Sequence, residues 1–121
     1  MNNGMQKKDV LKEKSFAFAV RIVKFASWMR EEKKEFVLSK QVLRSGTAIG
    51  ALISEAAYGQ SKADFVARMT IALKEANETI YWVRLLYASG LIEAQMSESL
   101  LSDAEELLAL LISTVKTAKI K

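Results

Sequence analysis

The chain has 121 residues, of which half are hydrophobic, with no proline and five glycines. This composition is typical of a single helical domain, because few residues interrupt long helices. The lack of cysteine and histidine excludes disulfides, thiolate nucleophiles, a Ser-His-Asp triad and the usual zinc sites. We therefore expect a protein that is not an enzyme and that has no cofactor and no metal site.

The net charge of +4 is unevenly distributed along the chain. Residues 1–37 carry a net charge of +4, whereas residues 91–121 carry a net charge of −2. A basic first half is compatible with nucleic-acid binding, and an ordinary basic surface is the alternative explanation. Charged residues interrupt every early apolar run, so we expect no signal peptide, no membrane association and a cytoplasmic location.

Residues 1–13 are polar and predict a flexible basic tail, which leaves residues 14–121 as the folded domain. A first helix is predicted from Ser15 to Lys34, because apolar residues recur there every three or four positions. They form two adjacent rows, one of Phe18, Ile22, Phe25 and Met29 and the other of Phe16, Ala19, Val23 and Ala26.

A second helix is predicted from Ser39, a suitable N-cap, to Tyr58, with Gly59 in the left-handed conformation that ends helices. The third helix is predicted to begin at Ser61, since Asp64 stands three positions later as in a capping box. It ends at Gly90. Its apolar seam comprises Phe65, Met69, Leu73, Ala76, Ile80, Val83 and Tyr87.

A fourth helix is predicted from about Ser97 to the end of the chain, with a wide leucine-rich stripe. The connections between these helices are short, so sequential helices are expected to be antiparallel neighbours. The predicted fold is an all-α, up-down-up-down four-helix bundle. The first three helices carry more apolar surface than one core needs, which favours assembly as a homo-oligomer.

Gly46, Gly50 and Ser54 follow one another at intervals of four and form a stripe of small residues on the second helix. Each glycine costs about 1 kcal/mol of helix propensity relative to alanine. Close approach of another helix, within the chain or across a subunit interface, gains dispersion contacts that offset this cost. Close approach to a ligand is the alternative interpretation.

The segment "KQVLRSGTAIGALISEAAYGQSKADFVARMTIALKEANETIYWVRLLYASGLI" (40–92) resembles the four-helix-bundle proteins encoded in intervening sequences of bacterial 23S ribosomal RNA genes. The resemblance extends from Phe16 to Ile92 and is most specific in RSGTxIGAxIxEA, SKADF and IALKEANETIYWVRLL. This chain has Leu52 where the family often has asparagine.

The resemblance implies a ring-like homopentamer without known enzymatic activity. A related branch is the accessory protein of diversity-generating retroelements, which binds nucleic acid and a reverse transcriptase. RNA or DNA is therefore an expected partner, together with a reverse transcriptase if the gene lies in a retroelement.

Four carboxylates stand at helical spacings that suggest ion pairs rather than a metal site: Glu55, Asp64, Glu75 and Glu78. A buried carboxylate needs a cationic partner, and Arg44, Arg68 and Arg84 are candidates.

Two functional hypotheses follow, and the sequence does not separate them. In the first, the protein is a non-enzymatic nucleic-acid-binding accessory. The candidate phosphate-binding residues are Lys7, Lys8, Lys12, Lys14, Arg21, Lys24 and Lys40. In the second, it is a protein-interaction scaffold with no nucleic-acid role. In either case Trp28 and Trp82 lie beside the predicted seams, where subunit contacts are expected. The stripe of Gly46, Gly50 and Ser54 is a further candidate for helix packing or for a subunit contact.

Overall fold

The computed structural model describes the backbone of residues 7–120 and the side chains of residues 9–120. This part of the chain folds into four α-helices and contains no strand. The prediction of an all-α four-helix bundle is confirmed. The helices are α1 (Lys7–Glu32), α2 (Leu38–Ala56), α3 (Lys62–Ala88) and α4 (Ala94–Ile120).

The four helices stand at the corners of a square. Each helix packs against the next one in the chain, and α4 packs against α1. Apolar side chains from all four helices meet in one core. The largest fully buried members include Ile22, Met29, Ile49, Met69, Leu86, Leu100 and Leu111.

The two apolar rows predicted on α1 have different environments. The row of Phe18, Ile22, Phe25 and Met29 is buried in the core, as a helix seam should be. In the second row Ala26 is buried, but Phe16 remains 70% exposed and Val23 51% exposed. The first row therefore accounts for the bundle core, and most of the second row faces outward.

The first helix begins earlier than the sequence indicates. Residues 7–13, expected to belong to a flexible tail, form the first two turns of α1, and residues 1–6 lie outside the described residues. The physical reason is Leu11, which is fully buried and extends the core row by two turns. Ser15 does not start the helix; it is buried within it, where its hydroxyl donates to the backbone oxygen of Lys12.

The second helix has an N-terminal cap that differs from the prediction. The carboxylate of Glu35 accepts hydrogen bonds from the backbone N–H groups of Val37, Leu38 and Ser39 at 3.2, 3.0 and 2.7 Å. Ser39 is the second helical residue, and its hydroxyl donates to the backbone oxygen of Glu35 at 2.7 Å. Glu35 therefore performs the capping function that the sequence assigned to Ser39.

The turn between α2 and α3 confirms one predicted cap and corrects one predicted stop. The Ser61 hydroxyl accepts from the Asp64 N–H at 3.1 Å and caps α3. Helix α2 ends at Ala56, two residues before the predicted end. Gly59 is not left-handed; instead a Cβ there would lie 2.9 Å from the Asp64 carboxylate. A larger residue there would displace the Asp64 carboxylate and would approach the Ala56 backbone oxygen at 3.2 Å, so close approach rather than a left-handed φ favours glycine.

The turn between α3 and α4 follows the prediction at Gly90, whose φ is +77°. Its N–H donates to Tyr87 O, and the Leu91 N–H donates to Leu86 O, as in a Schellman motif. Helix α4 begins at Ala94 and not at Ser97, which is buried in its first turn. None of the four described helices contains an apolar stretch long enough and free enough of charge to cross a bilayer.

Candidate nucleic-acid interface

The seven candidate phosphate-binding residues do not form one surface. Lys14 and Arg21 face α4, where they make ion pairs with Glu106 at 3.1 Å and with Asp103 at 2.7 Å. Arg21 also donates to the backbone oxygen and the hydroxyl of Ser99 at 3.2 and 2.8 Å. Both cations are already neutralised by protein groups, which makes them weaker phosphate ligands.

The other described candidates are exposed and well separated. Lys12 lies in the second turn of α1, Lys24 is farther along the same helix, and Lys40 lies near the start of α2. None of these three ammonium groups has an ion-pair partner among the residues that the structure describes. Lys7 and Lys8 belong to the first turn of α1, and their side chains lie outside the described residues.

The C-terminal part of α4 adds lysines that sequence reasoning did not include. Arg21 reaches Ser99 and Asp103, whereas the earlier Lys14 reaches the later Glu106, so α4 continues toward the start of α1. Lys116 and Lys119 lie about three turns beyond Glu106 and are exposed. We use the name basic end for the end of the bundle that holds Lys12, near the start of α1, and Lys116 and Lys119, near the end of α4.

The lysines at the end of α4 are visible in the sequence, but the net charge summed over residues 91–121 conceals them. Residues 113–121 hold three lysines and no acidic residue, although the larger window of 91–121 is net acidic. The predominance of acidic residues in the first half of α4 hid this local excess. Only the pairing of α4 with α1 brings the two lysine-rich segments to the same end of the bundle.

The small residues of α2 face α1 within the same chain. A Cβ on Gly46 would lie 2.8 Å from the Ile22 side chain, and one on Gly50 would lie 3.2 Å from the Ser15 backbone oxygen. Ser54 lines a cleft of about 530 Å³ between these two helices, beside Phe16 and Lys12. Close helix approach therefore explains the two glycines.

Both tryptophans are half-buried and make contacts within the chain. Trp28 lies against the Phe25 ring at 6.1 Å between centroids, and the Lys33 ammonium stands 5.4 Å above the Trp28 ring. The Trp82 indole N–H donates to Glu78 at 3.0 Å. The Tyr81 ring packs edge-on against Trp82 at 5.1 Å.

The four carboxylates singled out in the sequence pair with two arginines between α2 and α3. Arg44 contacts Glu75 at 3.2 Å and also contacts Glu78. Arg68 contacts Glu55 at 3.0 Å and Asp64 at 3.4 Å.

These contacts shift two pKa values. The hydrogen bond from Trp82, followed by that from Arg44, lowers the pKa of Glu78, whereas the hydrogen bond to Glu78 raises the pKa of Arg44. Across the described side chains, no group of three or more acidic residues is arranged to hold a metal ion. Three of these carboxylates therefore join α2 to α3, and Asp64 pairs within α3, whereas Lys12, Lys116 and Lys119 at the basic end have no ion-pair partner among the described residues.

The chain was compared with known families and structures. A family profile described as "23S rRNA-intervening sequence protein" matches residues 7–113. A crystal structure of a protein of unknown function from the S23 ribosomal protein family of Bacteroides thetaiotaomicron is 52% identical, covers 92% of this chain and 99% of its own, and has a TM-score of 0.90. Comparison with curated proteins gives no match. The chain therefore belongs to the family of 23S rRNA-intervening sequence proteins, as its sequence indicated.

Proposed function

We propose that this protein is a non-enzymatic accessory protein that binds RNA or DNA through the phosphates, using the basic end of the bundle. The observation that carries this proposal is the position of the excess charge. Residues 7–14 hold four lysines, of which Lys14 is paired with Glu106, against Asp9 and Glu13, and residues 113–121 hold three lysines and no acid. Exposed, unpaired ammonium groups are suitable ligands for a phosphate backbone because binding releases its condensed counterions.

Two further points support a nucleic-acid partner. Lys14, Arg21 and Arg44 are neutralised by ion pairs, whereas Lys12, Lys116 and Lys119 have no ion-pair partner among the described residues and keep their charge available to a polyanion. The description of the family connects it with the intervening sequence of 23S rRNA.

We propose an antiparallel, up-down-up-down arrangement and assembly as a homo-oligomer, with five subunits as the family resemblance implies. The topology is supported by contacts that run in opposite order along paired helices, such as Arg44 with Glu75 and Glu55 with Arg68. Self-association is supported by exposed apolar side chains on α1 and α3, including Phe16 at 70% and Tyr81 at 57% exposure. An oligomer presents several basic ends and binds a polyanion with avidity.

The experiment compares two triple variants with the same loss of charge. The first is Lys12→Gln/Lys116→Gln/Lys119→Gln at the basic end. The matched control is Lys24→Gln/Lys40→Gln/Lys74→Gln, which removes three exposed lysines elsewhere. Binding to a fluorescent single-stranded RNA and to a DNA duplex is measured by anisotropy from about 50 to 200 mM salt, where phosphate contacts weaken most clearly.

We expect the basic-end variant to lose affinity by about tenfold or more. Its slope of log affinity against log salt should decrease by about 2–3, because each lost phosphate contact removes nearly one counterion. The control should retain most of the wild-type slope. Equal losses in the two variants would contradict the assignment to the basic end, and no binding of the wild type at low salt would contradict nucleic-acid binding altogether.

A protein-interaction scaffold is the second candidate function, and the exposed row on α1 favours it. Phe16 and Val23 are apolar and solvent-exposed, which is the property of a protein-binding surface rather than of a phosphate site. A wild-type protein that fails to bind nucleic acid at low salt would leave this function as the better explanation.

A further inference from the structure

The turn between α2 and α3 presents an aromatic side chain that the bundle core does not use. Tyr58 is 80% exposed, more than any other aromatic residue in the described part of the chain. Its side chain makes no hydrogen bond or ring contact with the described residues. Single exposed rings are common on protein surfaces, so what Tyr58 can bind depends on its surroundings.

The backbone of the turn holds Tyr58 in a fixed position. The N–H groups of Tyr58 and Gly59 donate to backbone oxygens in the last turn of α2, at 3.0 and 3.1 Å. On the α3 side, the Asp64 carboxylate accepts from the Gln60 N–H at 3.3 Å. The ring is therefore presented on an ordered backbone, which reduces the entropy that is lost when a partner binds.

A recess beside Tyr58 connects the turn with the basic end. Its volume is about 380 Å³, and the residues before and after Tyr58 in the chain line it, as does Lys12 from α1. The half-buried Phe65 ring of α3 belongs to the same lining. The α2–α3 turn therefore lies at the end of the bundle that holds Lys12.

The charges around the turn favour an anionic partner. Lys62, the first residue of α3, is exposed and, like Lys12, has no ion-pair partner among the described residues. The two carboxylates that flank the turn are already paired with Arg68. Asp9 is the acidic residue of the recess lining, and Lys12 lines the same recess. Tyr58 thus has one ammonium group on the α1 side of the recess and another at the start of α3.

We propose that Tyr58 stacks against an unpaired base of single-stranded RNA or DNA bound at the basic end, while Lys12 and Lys62 contact phosphates beside that base. Exposed aromatic rings combined with cations are suited to single strands, because every base has a π face and every phosphate is anionic. The bases of a duplex are stacked on one another, so a duplex can contact the lysines but not the ring. This inference rests on the proposed nucleic-acid binding and specifies the class of nucleic acid that the basic end prefers.

The test compares ring variants on three probes. Tyr58→Ala removes the ring and Tyr58→Phe keeps it; the side chain is 80% exposed, so the fold should persist, which circular dichroism verifies. The matched control is Phe36→Ala, which removes a 56% exposed ring from the turn between α1 and α2. The probes are a fluorescent oligothymidine of about 12 nucleotides, an abasic strand with the same number of phosphates, and a DNA duplex. Affinity is measured by anisotropy at low salt.

We expect the wild type to bind oligothymidine more tightly than the abasic strand. Tyr58→Ala should lower the affinity for oligothymidine by about tenfold and change the affinity for the other two probes by less than about twofold, because stacking needs an accessible base. Tyr58→Phe and Phe36→Ala should both retain the wild-type affinity for oligothymidine.

Three results would overturn the assignment of Tyr58. They are an unchanged affinity of Tyr58→Ala for oligothymidine, an equal loss for all three probes, and an equal loss in Phe36→Ala. A wild type that binds none of the probes at low salt would instead refute the proposed nucleic-acid binding, so the two failures are distinguishable.

A lysine variant separates the charge from the ring. Lys62→Gln should weaken the binding of all three probes and reduce the slope of log affinity against log salt by about 0.7–0.9, because it removes one phosphate contact. Tyr58→Ala removes no charge and should leave that slope unchanged. Lys74→Gln, at an exposed lysine farther along α3, is the matched control and should keep the wild-type slope. A wild-type slope in Lys62→Gln would contradict its contact with a phosphate.

Discussion

Helix α2 contacts its two neighbours by different means, and consecutive residues show the difference. Gly46 faces α1, where the Ile22 side chain occupies the space that a Cβ would fill. Ser45 faces α3, where its hydroxyl lies 2.8 Å from that of Thr79. The α1 contact depends on shape and the α3 contact on hydrogen bonds and ion pairs. The two sides of α2 should therefore differ in which substitutions they tolerate.

The largest effect on the free energy of unfolding is expected at the contact between α2 and α1, which depends on close packing alone. Gly46→Val should lower the free energy of unfolding by about 2–3 kcal/mol, because the added carbons meet a buried side chain that has no space to move. Chemical denaturation checks this value. Ile22→Ala in the same chain should recover part of the loss, and a double-mutant cycle measures the recovery. Strict additivity of the two changes would show that Gly46 and Ile22 do not constrain each other.

A smaller effect is expected where a buried hydrogen bond is removed. Thr79→Val should cost about 1–2 kcal/mol, because the buried Ser45 hydroxyl loses a partner. The double variant Ser45→Ala/Thr79→Val should cost less than the sum of the single changes, since it leaves no unpaired hydroxyl. Urea denaturation of the four proteins provides the comparison. If the double variant costs the full sum, packing rather than the hydrogen bond explains the effect.

The exposed ion pairs of the α2–α3 side should contribute still less. Arg44 is 49% exposed, so Arg44→Gln should destabilise the protein by only about 0.2–1 kcal/mol despite its two carboxylate partners. The difference from wild type should shrink in about 1 M salt, where screening is strong. Arg84→Gln, which removes an exposed arginine with no ion pair among the described residues, is the matched control.

The smallest effect is expected in the dependence of Tm on acidic pH. Because the pKa of Glu78 is lowered in the folded protein, its ionised form stabilises the fold above the ordinary value of 4.5, and this contribution is lost as the pH falls through the lowered value. Trp82→Phe removes the main cause, so the decline of Tm between about pH 6 and 3 should be shallower than in the wild type. An unchanged decline would exclude the indole hydrogen bond as the source of the shift.

Sequence periodicity predicted the buried row of α1 correctly and that of α3 only in part. Met69, Ala76 and Val83 of the predicted α3 seam are buried and Tyr87 is 49% exposed, and the buried row is completed by three residues outside the predicted seam: Ala72, Thr79 and Leu86. Local chemistry also predicted the Ser61 cap and the left-handed Gly90, since both depend only on nearby residues.

The features that the sequence missed depend on a single residue or on distant contacts. The first two turns of α1 hold one fully buried residue, Leu11, among lysines and acids, which reads as a tail. Glu35 acts as a cap from outside the usual N-cap position. The basic end requires α1 and α4 to meet, and ion pairs with α4 remove Lys14 and Arg21 from the predicted binding set. None of these contacts produces a periodic pattern of apolar residues in the sequence.

Glu35 connects the end of α1 with the start of α2. Its N–H donates to Met29 O in α1, at 3.1 Å, while its carboxylate receives the first N–H groups of α2. Opening either helix at this corner therefore breaks hydrogen bonds in the other. We expect the amides of Glu35, Val37, Leu38 and Ser39 to exchange with solvent as slowly as those of the core, so that a surface turn behaves as part of the most cooperative unit of the protein.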